Sequence, residues 1–243
     1  MKAMLLAAGE GSRLPQARRC GSKVMVPVKG KPILEWNLLY LKKAGVREVV
    51  INLCTGKEKI LTFLKKRKFF GLRVAISSEE TPLGTGGGIK KAQKLLGENA
   101  FLVLYGDNLC DFDIAKLQRA HRKNEAIGTL GVFDPVKTKH GGILAGLVCV
   151  SDQGRVESFL EKRNNQKSDS ARYINAGIAV FSPRIFSSIP RDQVCDLARD
   201  IYPEWLRKGL RLFATEGATY VLASDTPEAL KRTRRLYSRI LKK

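Results

Sequence analysis

Residues 4–29 read MLLAAGEGSRLPQARRCGSKVMVPVK, and this stretch decides the fold. Met4 to Ala8 is a short apolar run, the pattern of a strand buried on both faces of a parallel sheet. It passes into Ala7-Ala8-Gly9-Glu10-Gly11-Ser12-Arg13-Leu14. Small residues at Ala7, Ala8, Gly9 and Gly11 let backbone N–H groups approach a phosphate, and Arg13 adds a rigid charged fork. Lys23 follows ten residues after Arg13, on what reads as a flexible loop, and the apolar stretch Val24 to Val28 then re-enters the fold. A strand, a glycine turn and two separated cations describe a site that wraps a polyphosphate. The turn is neither of the two commonest nucleotide loops. Leu14 stands where G-x-G-x-x-G needs its third glycine, and nothing in the chain fits G-x-x-x-x-G-K-[ST].

Working outward, residues 32–44 predict a helix, with Pro32 in its first turn and Gly45 as its stop. Val49 to Leu53 reads as a strand, 56–68 as a Lys-rich helix and Leu72 to Ser77 as another strand. Glu79 to Gly88 reads as a loop and Ile89 to Leu96 as a helix. Phe101 to Tyr105 is a central strand ending in Gly106-Asp107-Asn108, and Ile114 to Asn124 is helical. Strands alternating with helices imply a parallel sheet covered on both faces. After residue 126 the segments become short and extended: Ala126 to Phe133, Ile143 to Val150, Val156 to Leu160 and Asn175 to Phe181. A helix (192–208), two strands (211–215 and 219–223) and a last helix (227–240) complete the pattern. No Pro- or Ser-rich linker interrupts it, so residues 1–243 are expected to form one domain, a nucleotide half followed by a sugar half.

Composition narrows the classes. The chain has 243 residues, 44% of them hydrophobic, and a net charge of +21. Such a charge favours anionic ligands: nucleotides, sugar phosphates, nucleic acid or anionic membranes. Nothing reads as a signal peptide or a membrane span, because the N-terminal apolar run breaks at Gly9. The five cysteines are scattered and form no C-x-x-C pair. That argues for a cytoplasmic location and against zinc or a disulfide framework. The segment KRTRRLYSRILKK at 231–243 holds seven basic residues in thirteen and no acid. It reads as a docked helix with an exposed basic face, or as a contact for nucleic acid or membrane.

In an open α/β sheet, ligands sit beyond the carboxyl ends of the strands. The loops 7–14, 78–88 and 106–108 leave strands at that edge and should share one crevice. Asp107 can there bind Mg²⁺, which takes one or two carboxylates plus phosphate oxygens and water; the alternative is a simple Gly-Asp-Asn turn. The loop Thr81-Pro82-Leu83-Gly84-Thr85-Gly86-Gly87-Gly88 holds four glycines in five positions. Each costs conformational entropy, so the run argues for close backbone approach to a flat ligand. Glu161 can accept from sugar hydroxyls, and Lys162 can hold a phosphate as a point charge, although both also suit an ordinary surface pair. Asn175 offers a donor and an acceptor to a vicinal diol, or caps a strand. Neither His121 nor His140 joins a motif.

The pattern L-A-A-G-x-G-S-R-L followed by S-K-x-x-x-P-V-x-G-K-P resembles the signature of sugar-1-phosphate nucleotidyltransferases. The resemblance spans roughly residues 3–230. It implies a Rossmann-like mixed, mainly parallel α/β sheet with helices on both faces and a small sugar-binding β extension. It further implies Asp107 as a metal ligand, Glu80, Pro82 and Gly84 near the base, and Gly87 near the sugar. Phe159-Leu160-Glu161-Lys162 and Ile174-Asn175-Ala176-Gly177-Ile178 resemble the family's sugar-binding F-x-E-K and I-N-A-G motifs. The form P-L-G-T-G-G looks most like guanylyltransferases acting on mannose or heptose 1-phosphates.

One departure stands near the end. The family's second metal carboxylate falls, by register from Thr226-Pro227-Glu228, on Ala223. Asp225 lies two residues on, and reads either as a replacement ligand facing the same side or as an N-cap for the last helix.

The expected reaction joins an NTP to a sugar 1-phosphate, releasing pyrophosphate. The attacking oxygen is already anionic, so positioning and charge neutralisation by Arg13, Lys23 and Mg²⁺ on Asp107 would suffice. Rival readings are a nucleotide-sugar-binding regulator with weak chemistry, cytidylyl or uridylyl transfer to another phosphate acceptor, and a nucleic-acid-binding protein, which lacks any groove-reading or stacking motif. Base, sugar and any homo-oligomer stay open, and no appended acyltransferase repeat is expected.

Overall fold

The computed structural model describes residues 1–9, 11–141, 146–161 and 173–241. In chain order the strands are β1 (Ala3–Leu6), β2 (Pro27–Val28), β3 (Lys31–Pro32), β4 (Glu48–Leu53), β5 (Arg73–Ser78), β6 (Phe101–Tyr105) and β7 (Asn108–Phe112). Then follow β8 (Gly128–Phe133), β9 (Lys139–His140), β10 (Leu147–Val150), β11 (Val156–Leu160), β12 (Tyr173–Phe181), β13 (Leu212–Glu216) and β14 (Ala218–Ala223). The helices are α1 (Pro15–Cys20), α2 (Ile33–Lys43), α3 (Lys57–Lys66), α4 (Gly84–Lys91), α5 (Gln93–Leu96), α6 (Ile114–Lys123), α7 (Ile185–Ser188), α8 (Tyr202–Arg207) and α9 (Pro227–Ile240).

The main sheet runs β11-β10-β12-β6-β1-β4-β5, with β8 joined to β12 and β13 joined to β8. Strands β6, β1, β4 and β5 are mutually parallel, and β12 enters antiparallel beside β6. The chain winds outward from β1 through β4 to β5, then returns to the other flank of β1 as β6. That reversal makes the carboxyl ends of β1 and β6 a topological switch point, where an open sheet leaves a crevice for ligand. The sheet is therefore mixed, with a parallel block carrying the crevice, as the pattern of alternating strands and helices predicts.

Strands β1 and β6 at the centre of the sheet are apolar because both faces are covered. Ala3 and Leu5 pack with Leu34, Leu38 and Leu41 of α2, whereas Met4 turns to the opposite face with Phe101, Val103 and Trp205. A third cluster docks α9 through Leu230 and Tyr237 onto Leu14, Val26, Val28 and Leu222. Trp36 meets Tyr237 edge-on at 5.1 Å. The last helix is thus docked by its apolar face, with Lys231, Arg232, Arg234 and Arg235 exposed.

A separate three-stranded sheet, β7-β14-β9, was not legible in the sequence. Strand β14 runs antiparallel to β7 with Leu222 opposite Leu109 and Ala223 opposite Asn108. This register brings residues 224–225 beside Asp107 although more than a hundred positions separate them. Three further expectations are corrected. Residues 15–20 form α1, started by Pro15 and stopped by Gly21 at φ +83°, instead of a flexible loop. The glycine run does not stay in a loop: α4 begins at Gly84. The helix expected over 192–208 forms only from Leu197, as a π-type turn over Leu197–Ile201 leading into α8.

Candidate active site

The crevice at the switch point is lined by Leu6, Ala7, Ala8 and Gly9 from the first loop and by Pro82, Gly84 and Thr85 from the second. Lys23, Val24, Asn52, Tyr105, Asp107 and Asp196 complete its walls. The three loops expected to converge do so.

The backbone after β1 is held by a buried relay. Ala7 N donates to Asn52 Oδ1 at 2.8 Å, Asn52 Nδ2 donates to Glu79 Oε1 at 2.7 Å, and Leu83 N donates to Glu79 Oε2 at 3.0 Å. Asn52 and Glu79 are 2% and 4% exposed, so this pair of polar groups ties the first loop to the second inside the protein. Glu80, expected near the base, is exposed, while its neighbour Glu79 is buried in the relay; neither lines the crevice. Asn52 was missed because it lies within an apolar strand and no spacing marks it.

The glycines divide by role. A Cβ at Gly9 would meet nothing within 4 Å, so that position opens to the crevice. Gly11 has φ +65°, and a Cβ there would lie 2.7 Å from Ala17 Cβ and 3.0 Å from Lys23 Cβ. Gly84 has φ +75°, with the Cys195 carbonyl oxygen 2.5 Å from any Cβ, and Gly87 has the Gln193 carbonyl oxygen at 2.7 Å. The N–H groups of Gly86 and Gly87 donate to Cys195 O at 2.8 and 3.0 Å. The close approach read from the glycine run is therefore approach to the chain's own 193–195 segment. Gly84 lines the crevice, while Gly87 is buried beneath that segment and outside the lining.

Asp107 is fixed by its neighbours' backbone. Gly106 N donates to Leu6 O at 2.8 Å, Asn37 Nδ2 donates to Gly106 O at 3.0 Å, and Ser224 Oγ donates to Asp107 O at 2.7 Å. Lys23 Nζ donates to Asp107 Oδ2 at 2.6 Å and also to Asp225 Oδ1. Thr226, not Asp225, caps α9, its hydroxyl accepting from Ala229 N at 3.2 Å. Asp225 is thereby left to face Asp107. Ala223, the position predicted by register for a carboxylate, is fully buried.

Burial alone would push the Lys23 ammonium down, but the carboxylates of Asp107 and Asp225 more than offset it and hold its pKa above the usual lysine value. Lys23 is 6% exposed and stays charged. Tyr105 is half-buried in the crevice wall, and its hydroxyl is pushed well above the usual range, first by desolvation and then by nearby Asp196. Thr85 Oγ1 donates to Asp196 Oδ2 at 2.9 Å and accepts from Leu197 N at 2.8 Å. Tyr105, Thr85 and Asp196 are site residues that sequence reading missed.

The other expected residues are less gathered. Arg13 stands exposed on the turn before α1 and does not line the crevice. Glu161 is exposed at the end of β11, near enough to influence Tyr105 and Arg199. Asn175 is buried, its Oδ1 accepting from Gly177 N at 3.2 Å across an irregularity in the pairing of β12 with β8. Lys162 lies outside the described residues.

Two carboxylates that converge on one cation form the donor set Mg²⁺ uses when phosphates and water complete its shell. Here the cation on which they converge is Lys23 Nζ. Among the described residues no group of three or more His, Cys, Asp or Glu gathers at this or any other place, so a metal here would draw on two carboxylates. The residues fit the ion.

A switch-point crevice with a backbone cradle after β1 and a cation–carboxylate cluster defines a nucleotide-phosphate-handling α/β protein. The chain belongs to the nucleotidyl transferase family, whose model matches residues 2–220. It is 31% identical over 256 residues to a UTP–glucose-1-phosphate uridylyltransferase of Synechocystis, covering 100% of this chain and 65% of that protein. It is 35% identical over 188 residues to the D-glycero-alpha-D-manno-heptose 1-phosphate guanylyltransferase of Campylobacter jejuni, covering 77% of this chain and 78% of that one. The crystal structure of HddC from Yersinia pseudotuberculosis superposes with a TM-score of 0.78 at 25% identity, covering 97% and 99% of the two chains. The chain spans less than two thirds of the Synechocystis protein and 59% of several further relatives. Among the described residues, no helix is long and apolar enough to cross a membrane.

Proposed function

We propose that this chain transfers a nucleotidyl group from an NTP to a sugar 1-phosphate, forming an NDP-sugar and pyrophosphate. The observation that carries the reading is Lys23, held between Asp107 and Asp225 in a crevice also lined by Ala7–Gly9. The backbone of Ala8 and Gly9 lies along the triphosphate, while the Ala7 N–H is held by Asn52. Lys23 neutralises charge building at the α-phosphorus, and Arg13, free on its turn, closes on the departing pyrophosphate. Asp107 and Asp225 would hold Mg²⁺, which supplies charge neutralisation and alignment of the two phosphates when bound.

The sugar phosphate's oxygen is already an anion, so the site needs no general base. His121 is buried away in α6 against Thr129. Tyr105, kept protonated, can donate, accept or pack but not act as a base. Pro82 and Gly84 border the base with Glu80 near them, and Glu161 and Asn175 lie toward the sugar.

The regulator reading rests on the missing carboxylate at Ala223; the pairing of Asp225 with Lys23 beside Asp107 supports the enzyme reading instead. Guanylyl transfer to mannose or heptose 1-phosphate is the first pairing to test, supported by the named activity of the Campylobacter relative. A matrix of four NTPs against glucose, mannose and heptose 1-phosphates, read as pyrophosphate release, tests the proposal. Turnover of one pairing is expected. Binding of NDP-sugar without turnover in any pairing would return the reading to a regulator.

A further inference from the structure

We propose that Lys23 is a built-in counter-cation that holds the metal's place between Asp107 and Asp225 until nucleotide and divalent ion arrive together. The inference rests on reading the two carboxylates as a divalent-cation site.

The geometry is that of a charge-balanced ligand set. The Lys23 side chain is 8% exposed, while those of Asp107 and Asp225 are 32% and 22% exposed. Lys23 and Asp107 line the crevice, and Asp225 meets the same ammonium from outside that lining. Two partly buried anions side by side repel one another, and a third charge of opposite sign removes that penalty. A divalent ion entering alone must displace the ammonium and leave it without a partner.

The stem of Lys23 is fixed and the head is not. Its backbone belongs to a single turn in which Val26 N donates to Lys23 O at 3.1 Å. Its Cβ lies beside Gly11, where a methyl group would come within 3.0 Å. Beyond Cγ the two remaining methylenes can swing the point charge without moving the backbone. The backbone cradle of Ala7–Gly9 lines the same crevice. A triphosphate seated there offers Lys23 a second anionic partner at the moment the ion takes the first. Metal and nucleotide affinities are then reciprocally coupled, and free metal binds weakly.

The test reads metal binding apart from turnover. Mn²⁺ is titrated, by calorimetry and by loss of its free paramagnetic signal, into the unaltered protein, Lys23→Met and Lys59→Met, without nucleotide. Lys59 is exposed and packs on Gly21 in the same loop, so it controls for removing one positive charge nearby. Lys23→Met is expected to bind Mn²⁺ at least ~10-fold tighter than the unaltered protein, and Lys59→Met within about 2-fold, since screening blunts an exposed charge. Equal affinity in Lys23→Met and the control would overturn the inference.

A second measurement needs no variant. Acetic anhydride labelling of the unaltered protein, read by peptide mass, should find Lys23 protected without metal and progressively labelled as Mn²⁺ saturates. Protection unchanged at saturation would also refute it. Both readouts are independent of whether any sugar phosphate is turned over, so failure of the proposed reaction and failure of the placeholder are distinguishable.

Discussion

Replacing Asn52 by alanine removes the buried link between the two loops that form the crevice. Asn52 accepts from Ala7 N and donates to the Glu79 carboxylate, at 2.8 and 2.7 Å. The variant orphans a backbone N–H, a loss of about 1–3 kcal/mol, and breaks a bond to a charged group, about 1.5–3 kcal/mol. Ala7 lines the crevice, so water re-solvates part of that loss. The sum settles near ~3 kcal/mol, the lower half of that range. For a chain of this size each kcal/mol shifts Tm by about 2–4 °C, so a fall of about 6–12 °C is expected by thermal fluorimetry.

The coupled partner sharpens the test. Glu79→Ala removes acceptors for Asn52 Nδ2 and Leu83 N. The double variant should therefore lose less than the sum of the singles, by roughly 1–2 kcal/mol in a double-mutant cycle. Nucleotide affinity should weaken roughly tenfold in Asn52→Ala, about 1.4 kcal/mol, because Ala7 and Leu83 no longer present their backbone in register. A Tm within ~2 °C of the parent, equivalent to under ~1 kcal/mol, or strict additivity of the two variants, would refute the relay.

Three further outcomes are expected. Gly84→Ala meets a left-handed backbone and a carbonyl oxygen at 2.5 Å, and should lose at least ~2 kcal/mol of stability. Gly9→Ala, with open space around it, should stay within ~0.5 kcal/mol of the parent while weakening nucleotide binding, read by the same denaturation and binding assays. Lys23→Ala and Arg13→Ala should each lower turnover at least ~10²-fold, and Arg13→Ala should leave Tm unchanged because its side chain is exposed; near-parental turnover in either removes that residue from the mechanism. Burial, with a lesser push from Arg184, depresses His121 to about 4 from its ordinary 6.5. Between those values the unfolded chain binds a proton that the folded chain refuses. Stability should therefore fall with pH from about 6.5 to about 4 by up to ~1.4 kcal/mol per unit and flatten below. The His121→Asn difference in Tm across that range isolates the effect.

The parallel block was open to reading because its signals are local. Met4–Ala8, Val49–Leu53 and Phe101–Tyr105 are apolar runs of strand length punctuated by glycine, and the last helix begins at Pro227 and ends at Ile240 as its pattern predicts. Lys23 and Asp107 were nameable for the same reason: each follows a motif with its own residue types and spacing.

Long-range register carried no such signal. Asp225 was as readable as a helix cap as it was a ligand, until the pairing of β14 with β7 set it beside Asp107 and Thr226 took the cap. Asn52 and Glu79 look like stray polar residues in the chain, and only packing makes them one relay. Gly84 both lines the crevice and abuts the 193–195 segment, whereas Gly86 and Gly87 lie outside that lining with the same segment against them. Local composition specifies which segments become strands, helices and turns, because those preferences act over a few residues. Which carboxylate meets which lysine follows from the sheet order and register, set by the collective burial of both faces, and no single window of the chain contains that information.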